Sequence, residues 1–148
     1  MLRSAILLIP ALLLPACTGI PAGWSEAKRT GASDPVAGAW IGEWRSEGSG
    51  HHGGLRCVVT RQSAGTCHFR YRASWAKILC AGFSLTSSVK PDGKGGYTVT
   101  GSKDLGKIFG GVFTCTGTIR DGMFRSRYEA KLDHGTMEMR KVAGQPPR

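Results

Sequence analysis

His51, His52 and His134, together with Glu47, Asp104 and Asp133, could coordinate a divalent metal or serve as general acids and bases. Imidazole titrates near neutrality, ligates divalent metals and exchanges protons with a carboxylate neighbour. Their spacing is not that of a preformed metal site. No helical pattern sets an i, i+4 histidine pair, and His51-His52 stands in a Gly-rich stretch where adjacent side chains diverge. For a small apolar ligand held inside a barrel or at its rim, the residues assigned to ligand binding are His51, His52, Trp75, Asp133 and His134. The chain has no G-x-S-x-G elbow, no phosphate-cradling Gly loop and no paired C-x-x-C. Accordingly no catalytic residue, metal ligand or cofactor is assigned.

Cys17 has a different chemistry. A basic start, Met1 to Ser4, leads into the apolar run Ala5 to Leu14, which is too short to span a bilayer, and Leu14-Pro15-Ala16-Cys17 closes it. This arrangement resembles the lipobox of bacterial lipoprotein signals, with an ordinary secretory signal as the alternative. The resemblance implies cleavage before Cys17, diacylglycerol on its sulfur and a third acyl chain on the new amino group. Thr18 is not Asp, and under the Gram-negative sorting rule that implies the outer membrane, with the domain facing the periplasm. Several acyl chains hold a protein at a membrane far more firmly than one.

Removing residues 1–16 from the 148 leaves 132, enough for one domain. Residues 17–36 mix Gly, Pro, Ser and charge without period and read as a lipidated flexible tether, about eighteen residues of which would reach roughly 20–25 Å. The domain is then 37–143, and 144–148 is a disordered tail. The net charge of +10 disfavours a basic partner and is compatible with an anionic envelope polymer. A dedicated nucleic-acid module is not indicated, since no RNP, zinc-finger or helix-turn-helix pattern occurs.

From Ala37 onward apolar and polar residues alternate with a period of two, which predicts strands. Eight are expected, near Ala39–Ser46, Gly54–Gln62, Thr66–Trp75, Ile78–Val89, Gly96–Lys103, Gly111–Ile119, Met123–Lys131 and Met137–Val142. Asp121-Gly122 suits a two-residue type I′ hairpin. That turn pairs Ile119 with Phe124, Gly117 with Ser126, Cys115 with Tyr128 and Phe113 with Ala130 on one face, and Thr118, Thr116 and Thr114 with Arg125, Arg127 and Glu129 on the other. A turn at Ser63-Ala64-Gly65 likewise sets Val59, Cys57 and Leu55 against Phe69, Tyr71 and Ala73. A turn at Asp133-His134-Gly135-Thr136 would set Leu132 against Met137 and Glu129 against Arg140. Cys57, Cys67 and Cys115 point inward by parity and Cys80 outward, with at most one disulfide expected.

Sequential hairpins with one apolar face close most economically into an all-β, eight-stranded antiparallel up-and-down barrel or a clam of the same order. Gly38-Ala39-Trp40 and Gly42-Glu43-Trp44 in the first strand, with Arg140 or Lys141 in the last, resemble the Gly-x-Trp and terminal basic residue of calycins, the lipocalin-like barrels. That resemblance implies a basic side chain packed over the tryptophan at one end. A second resemblance, of Trp40-Ile41-Gly42-Glu43-Trp44 to the MORN repeat core, implies an open meander sheet instead. The Trp-rich start and Asp133-His134-Gly135-Thr136 also resemble uncharacterised small bacterial lipoproteins, which implies no function.

In a barrel alternate loops share an end, so Glu47 to Gly53, Trp75 to Lys77, Asp104 to Phe109 and Asp133 to Thr136 should ring one mouth. The leading expectation is a non-enzymatic, membrane-anchored envelope lipoprotein whose barrel has a binding or structural role. An apolar ligand would lie among Tyr71, Trp75, Phe83, Tyr97, Phe113 and Tyr128. The alternative is a small hydrolase or metal-dependent enzyme using the histidine-rich rim.

Overall fold

The computed structural model describes residues 19–76, 79–107 and 111–144. The signal segment, Cys17 and residues 145–148 lie outside them. The strands are β1 Gly38–Ser46, β2 His52–Ser63, β3 Thr66–Trp75, β4 Leu79–Pro91, β5 Tyr97–Asp104, β6 Val112–Arg120, β7 Met123–Glu129 and β8 His134–Lys141. Each pairs antiparallel with the next, and β8 returns to β1, giving a closed eight-stranded barrel. Closure rules out the open MORN-like sheet, because a meander leaves its first and last strands unpaired whereas here seven residue pairs, from Trp40↔Lys141 to Ser46↔Gly135, join them.

At that seam Gly42 faces Met139, and a Cβ on Gly42 would lie 1.9 Å from the Glu138 carbonyl oxygen. Only glycine lets the two strands approach this closely.

The β6–β7 hairpin forms as the dipeptide dictates. Asp121 and Gly122 take φ of 51° and 71°, both positive as a type I′ turn requires. Ile119↔Phe124, Gly117↔Ser126 and Cys115↔Tyr128 pair inward, and Thr118, Thr116 and Thr114 face Arg125, Arg127 and Glu129. The ladder stops at Glu129, so the expected Phe113–Ala130 pair is not part of it. The β2–β3 register also matches, with Leu55↔Ala73, Cys57↔Tyr71 and Val59↔Phe69, and ends in a bulge between Arg61 and Ser63.

The β7–β8 register differs from expectation. The turn is made by Ala130 to Asp133, whose ends exchange backbone hydrogen bonds, so Glu129 opposes His134 rather than Arg140. Leu132 is exposed at the turn instead of pairing with Met137. The shift is an even number of residues, so every side chain keeps its face, and alternation could not tell the two registers apart. Opposite charges still meet outside, but the pair is Arg125–Glu138 at 3.1 Å.

Residues 19–36 are not a free tether. An α-helix, α1, Trp24–Thr30, and a 3-10 turn, Gly31–Ser33, dock on the barrel wall. Ala39 and Val58 are cross-strand partners that point outward, yet both are 0% exposed because Trp24, Ala27 and Val142 cover them. An apolar pair on the wet face needs such a cover. Arg56 Nη1 also donates to the Gly19 carbonyl at 3.0 Å.

One end of the barrel is sealed. Val36, Trp40, Phe69 and Phe124 are wholly buried there, with ring centroids 6.3 Å apart for Trp40–Phe124 and 5.8 Å for Phe69–Phe124. Trp40 Nε1 donates to the Val36 carbonyl at 2.9 Å. Asp34 fixes this segment: its Oδ1 accepts the amides of Val36 and Ala37, and Arg61 grips both carboxylate oxygens at 2.6 and 3.0 Å.

Candidate functional site

The other end is open onto a cavity of about 340 Å³. Its walls are Trp44, Leu55, Ala73, Trp75, Phe83, Phe113 and Met137, inward positions of six strands, and its rim carries Ser49, His51, Tyr128 and Asp133. Alternation builds this: inward positions of β1, β2, β3, β4, β6, β7 and β8 supply the wall and Tyr128, and the β1–β2 and β7–β8 loops add Ser49, His51 and Asp133. The aromatic walls are mutually braced. Trp44 meets Trp75 edge-on at 6.4 Å and donates its Nε1 hydrogen to the Ser74 carbonyl at 3.2 Å. Tyr71, Phe83, Phe113 and Tyr128 continue as a run of ring contacts at 4.7, 5.3 and 5.8 Å.

Asp133 organises the polar rim. Its Oδ1 accepts from the Ser46 hydroxyl at 2.5 Å and the His134 amide at 2.9 Å, while Oδ2 accepts from the Tyr128 hydroxyl at 3.0 Å. Ser46 is buried, and its oxygen in turn accepts from the Ser49 amide and hydroxyl at 2.9 and 2.8 Å. Burial pushes the Tyr128 hydroxyl well above its ordinary value, and the Asp133 carboxylate beside it adds to the shift. Tyr128 therefore stays a neutral donor across the physiological range. Outside the rim Arg127 grips Glu47 through both guanidinium nitrogens at 3.0 and 2.6 Å, which holds the Glu47 carboxyl below its usual range.

Of the five residues assigned to ligand binding, the structure brings His51, Trp75 and Asp133 to the cavity. His52 and His134 do not line it. His52 sits exposed at the start of β2 opposite Arg45, its Nδ1 3.4 Å from the Gly50 carbonyl, and His134 is exposed on β8 opposite Glu129. Asp104 is spent on its own turn, accepting the Gly106 amide at 2.8 Å. Among the described residues no three His, Cys, Asp or Glu side chains converge on a point that would hold a metal ion. Sequence reasoning named Phe83, Phe113 and Tyr128 as inward residues but missed the Ser46–Ser49 link, whose signal would have been a serine at an inward strand position, since a buried hydroxyl needs a partner.

Cys57, Cys67 and Cys115 are buried free thiols, as parity indicated, and burial raises all three above the ordinary thiol range.

No family model matches this chain, and no curated protein matches it. Among solved structures, one described as the crystal structure of Echinococcus granulosus fatty-acid-binding protein 1 aligns with 74% of this chain and 99% of its own, at 12% identity and a TM-score of 0.39. Likeness at that level transfers no ligand or activity.

Proposed function

We propose that this protein is a membrane-anchored envelope lipoprotein whose barrel binds a small apolar ligand in the open-end cavity. The observation that carries the binding reading is the cavity, with its aromatic and aliphatic walls and its few polar groups gathered at one rim. That combination is the usual composition of a small-molecule site, and about 340 Å³ lies at the low end of the roughly 300–1,000 Å³ range, which fits a compact ligand better than a long-chain lipid. The anchor rests on Leu14-Pro15-Ala16-Cys17 behind its apolar run, and outer-membrane residence facing the periplasm rests on Thr18.

The test of binding uses intrinsic fluorescence, because Trp44 and Trp75 line the cavity. Titration with apolar molecules of graded size should give saturable quenching that peaks for compact members and a matching rise in Tm. Absence of both across the graded series would remove the binding role and leave a structural domain.

A further inference from the structure

The chain next to the proposed anchor is held on the barrel. Arg56 Nη1 donates to the Gly19 carbonyl at 3.0 Å on the outer wall of β2, and Gly19 follows Cys17 by two residues. Two peptide units span at most about 7–8 Å between Cα atoms. A free tether over residues 17–36 would let the barrel stand off a bilayer by roughly 20–25 Å. With Gly19 on the wall, an acylated Cys17 brings the outer face of β2 and β3 to the headgroups.

That face is cationic. Between Glu47 and Asp92 the sequence has no carboxylate side chain, while Arg56, Arg61, Arg70, Arg72, Lys77 and Lys90 all fall there. Arg56 and Arg72 are direct cross-strand partners on the outer face, and Arg70 follows on the same side with its Nη2 close to Gly23. Arg72 reaches over β4, where it opposes Gly82: a Cβ on that glycine would lie 2.8 Å from Arg72 Nη1. Arg61 is held by Asp34, but among the described residues the ion pairs leave out Arg56, Arg70 and Arg72. Glu43 of β1, opposite Gly54, makes no ion pair with them. The Arg70 Nε is buried without a hydrogen-bond partner. Like charges directly opposite each other cost stability, so this face lacks a counter-anion.

We infer that the outer face of β2 and β3, through Arg56, Arg70 and Arg72, docks on the anionic phospholipid headgroups of the leaflet that holds the anchor, so that the barrel lies against the membrane. This rests on the anchor proposed above and adds the surface that meets the bilayer and the lipid chemistry it meets. An arginine close to an anionic bilayer strengthens attachment about fivefold. The effect fades within a Debye length, about 8 Å in physiological salt, so the short connection from Cys17 to Gly19 brings these side chains into range.

The test uses the full-length protein, reconstituted into vesicles of phosphatidylcholine alone or of phosphatidylcholine mixed with phosphatidylglycerol. Arginine modification by phenylglyoxal is then read residue by residue by mass spectrometry. With phosphatidylglycerol present, Arg56 and Arg72 should react at least about fivefold more slowly, and the difference should vanish in about 1 M salt, where the Debye length is about 3 Å. Arg125 on β7, on the opposite wall of the barrel, should not change. Arg72→Gln relieves the opposed charges and leaves the Gly19 contact alone. Its Tm in detergent should hold or rise, and the protection of Arg56 in the mixed vesicles should weaken severalfold. Equal labelling of Arg56 and Arg72 in the two kinds of vesicle, on protein whose Cys17 carries acyl chains, overturns the docking and leaves the anchor standing. Protein whose Cys17 carries none removes the anchor, and this inference with it. Protection by a soluble polyanion such as dextran sulfate, as strong as that by the mixed vesicles, would make an envelope polymer the partner and overturn the inference as well.

Discussion

The Lys141 Nζ stands 5.9 Å from the centroid of the Trp40 ring, its direct cross-strand partner in the seam where the last strand meets the first. The lysine thus plugs the sealed end from inside the strand register, with its ammonium over an aromatic face, as the calycin resemblance implied. A cation–π contact of this partly desolvated kind contributes about 0.5–2 kcal/mol. Lys141→Met keeps the aliphatic packing and should lose about that amount in urea denaturation followed by tryptophan fluorescence. Trp40→Ala, which empties a wholly buried ring site, should cost about 3–5 kcal/mol. A Lys141→Met variant as stable as the wild type would show that the ammonium contributes nothing there.

Asp34 makes the sealed end sensitive to acid. Partial desolvation raises its pKa, but the Arg61 hydrogen bonds, the amides of Ala37 and Val36 and the Arg61 charge outweigh it and hold the carboxyl well below the ordinary range. A carboxylate whose folded pKa is depressed contributes stability that is complete above the unfolded value of about 4 and is lost as pH falls beneath it. Asp34→Asn should therefore lower Tm at pH 7 by the equivalent of about 1–2 kcal/mol. The gap to wild type should close progressively below about pH 4. A gap that stays constant down to pH 2 would mean that the Asp34 charge does not matter.

Removing the Asp133 carboxylate strands two donors, the buried Ser46 hydroxyl and the Tyr128 hydroxyl. Asp133→Ala should cost about 2–4 kcal/mol, whereas Asp133→Asn, which keeps one acceptor, should cost about half as much. Differential scanning calorimetry distinguishes them, and equal losses would show that the rim depends on the charge rather than on the hydrogen bonds.

Ala73 is a small residue on the cavity wall facing Leu55. Ala73→Phe should occupy the space, hold Tm within a few degrees and abolish saturable quenching by apolar probes. A variant that binds probes with wild-type affinity would place their site elsewhere.

The proposed anchor is a thioether, which oxygen cannot replace. Cys17→Ser should stop incorporation of labelled fatty acid and partitioning into detergent. A Cys17 sulfur in a thioether has no thiol left to oxidise, so mass spectrometry of the wild type should find it acylated. Finding Cys17 without an acyl chain, as a free thiol or in a disulfide, would overturn the lipoprotein reading.

Alternation and an Asp-Gly pair act over two to four residues, so the strands, the inward and outward faces and the local turn chemistry were legible in the chain alone. Asp121-Gly122 specified the β6–β7 register, and parity put Cys57, Cys67 and Cys115 in the interior. Connectivity alone also placed the β1–β2 loop, Trp75 and the β7–β8 turn at one mouth, where Ser49, His51, Trp75 and Asp133 line the cavity. The β7–β8 register was settled by barrel closure, because the two turn positions preserve the same faces and differ only in how β8 meets β1. The helix over Trp24–Thr30 was hidden for a similar reason: seven residues are too few to hold a helix alone and gain their order from covering Ala39 and Val58, an apolar pair assembled by strand pairing. The site shows the same division. Which side chains point inward was legible, but whether they fill the barrel or leave a space depends on side-chain volumes summed around eight strands, and which rim residue turns inward depends on loop path. That is why His51 faces the cavity while its neighbour His52 enters the sheet.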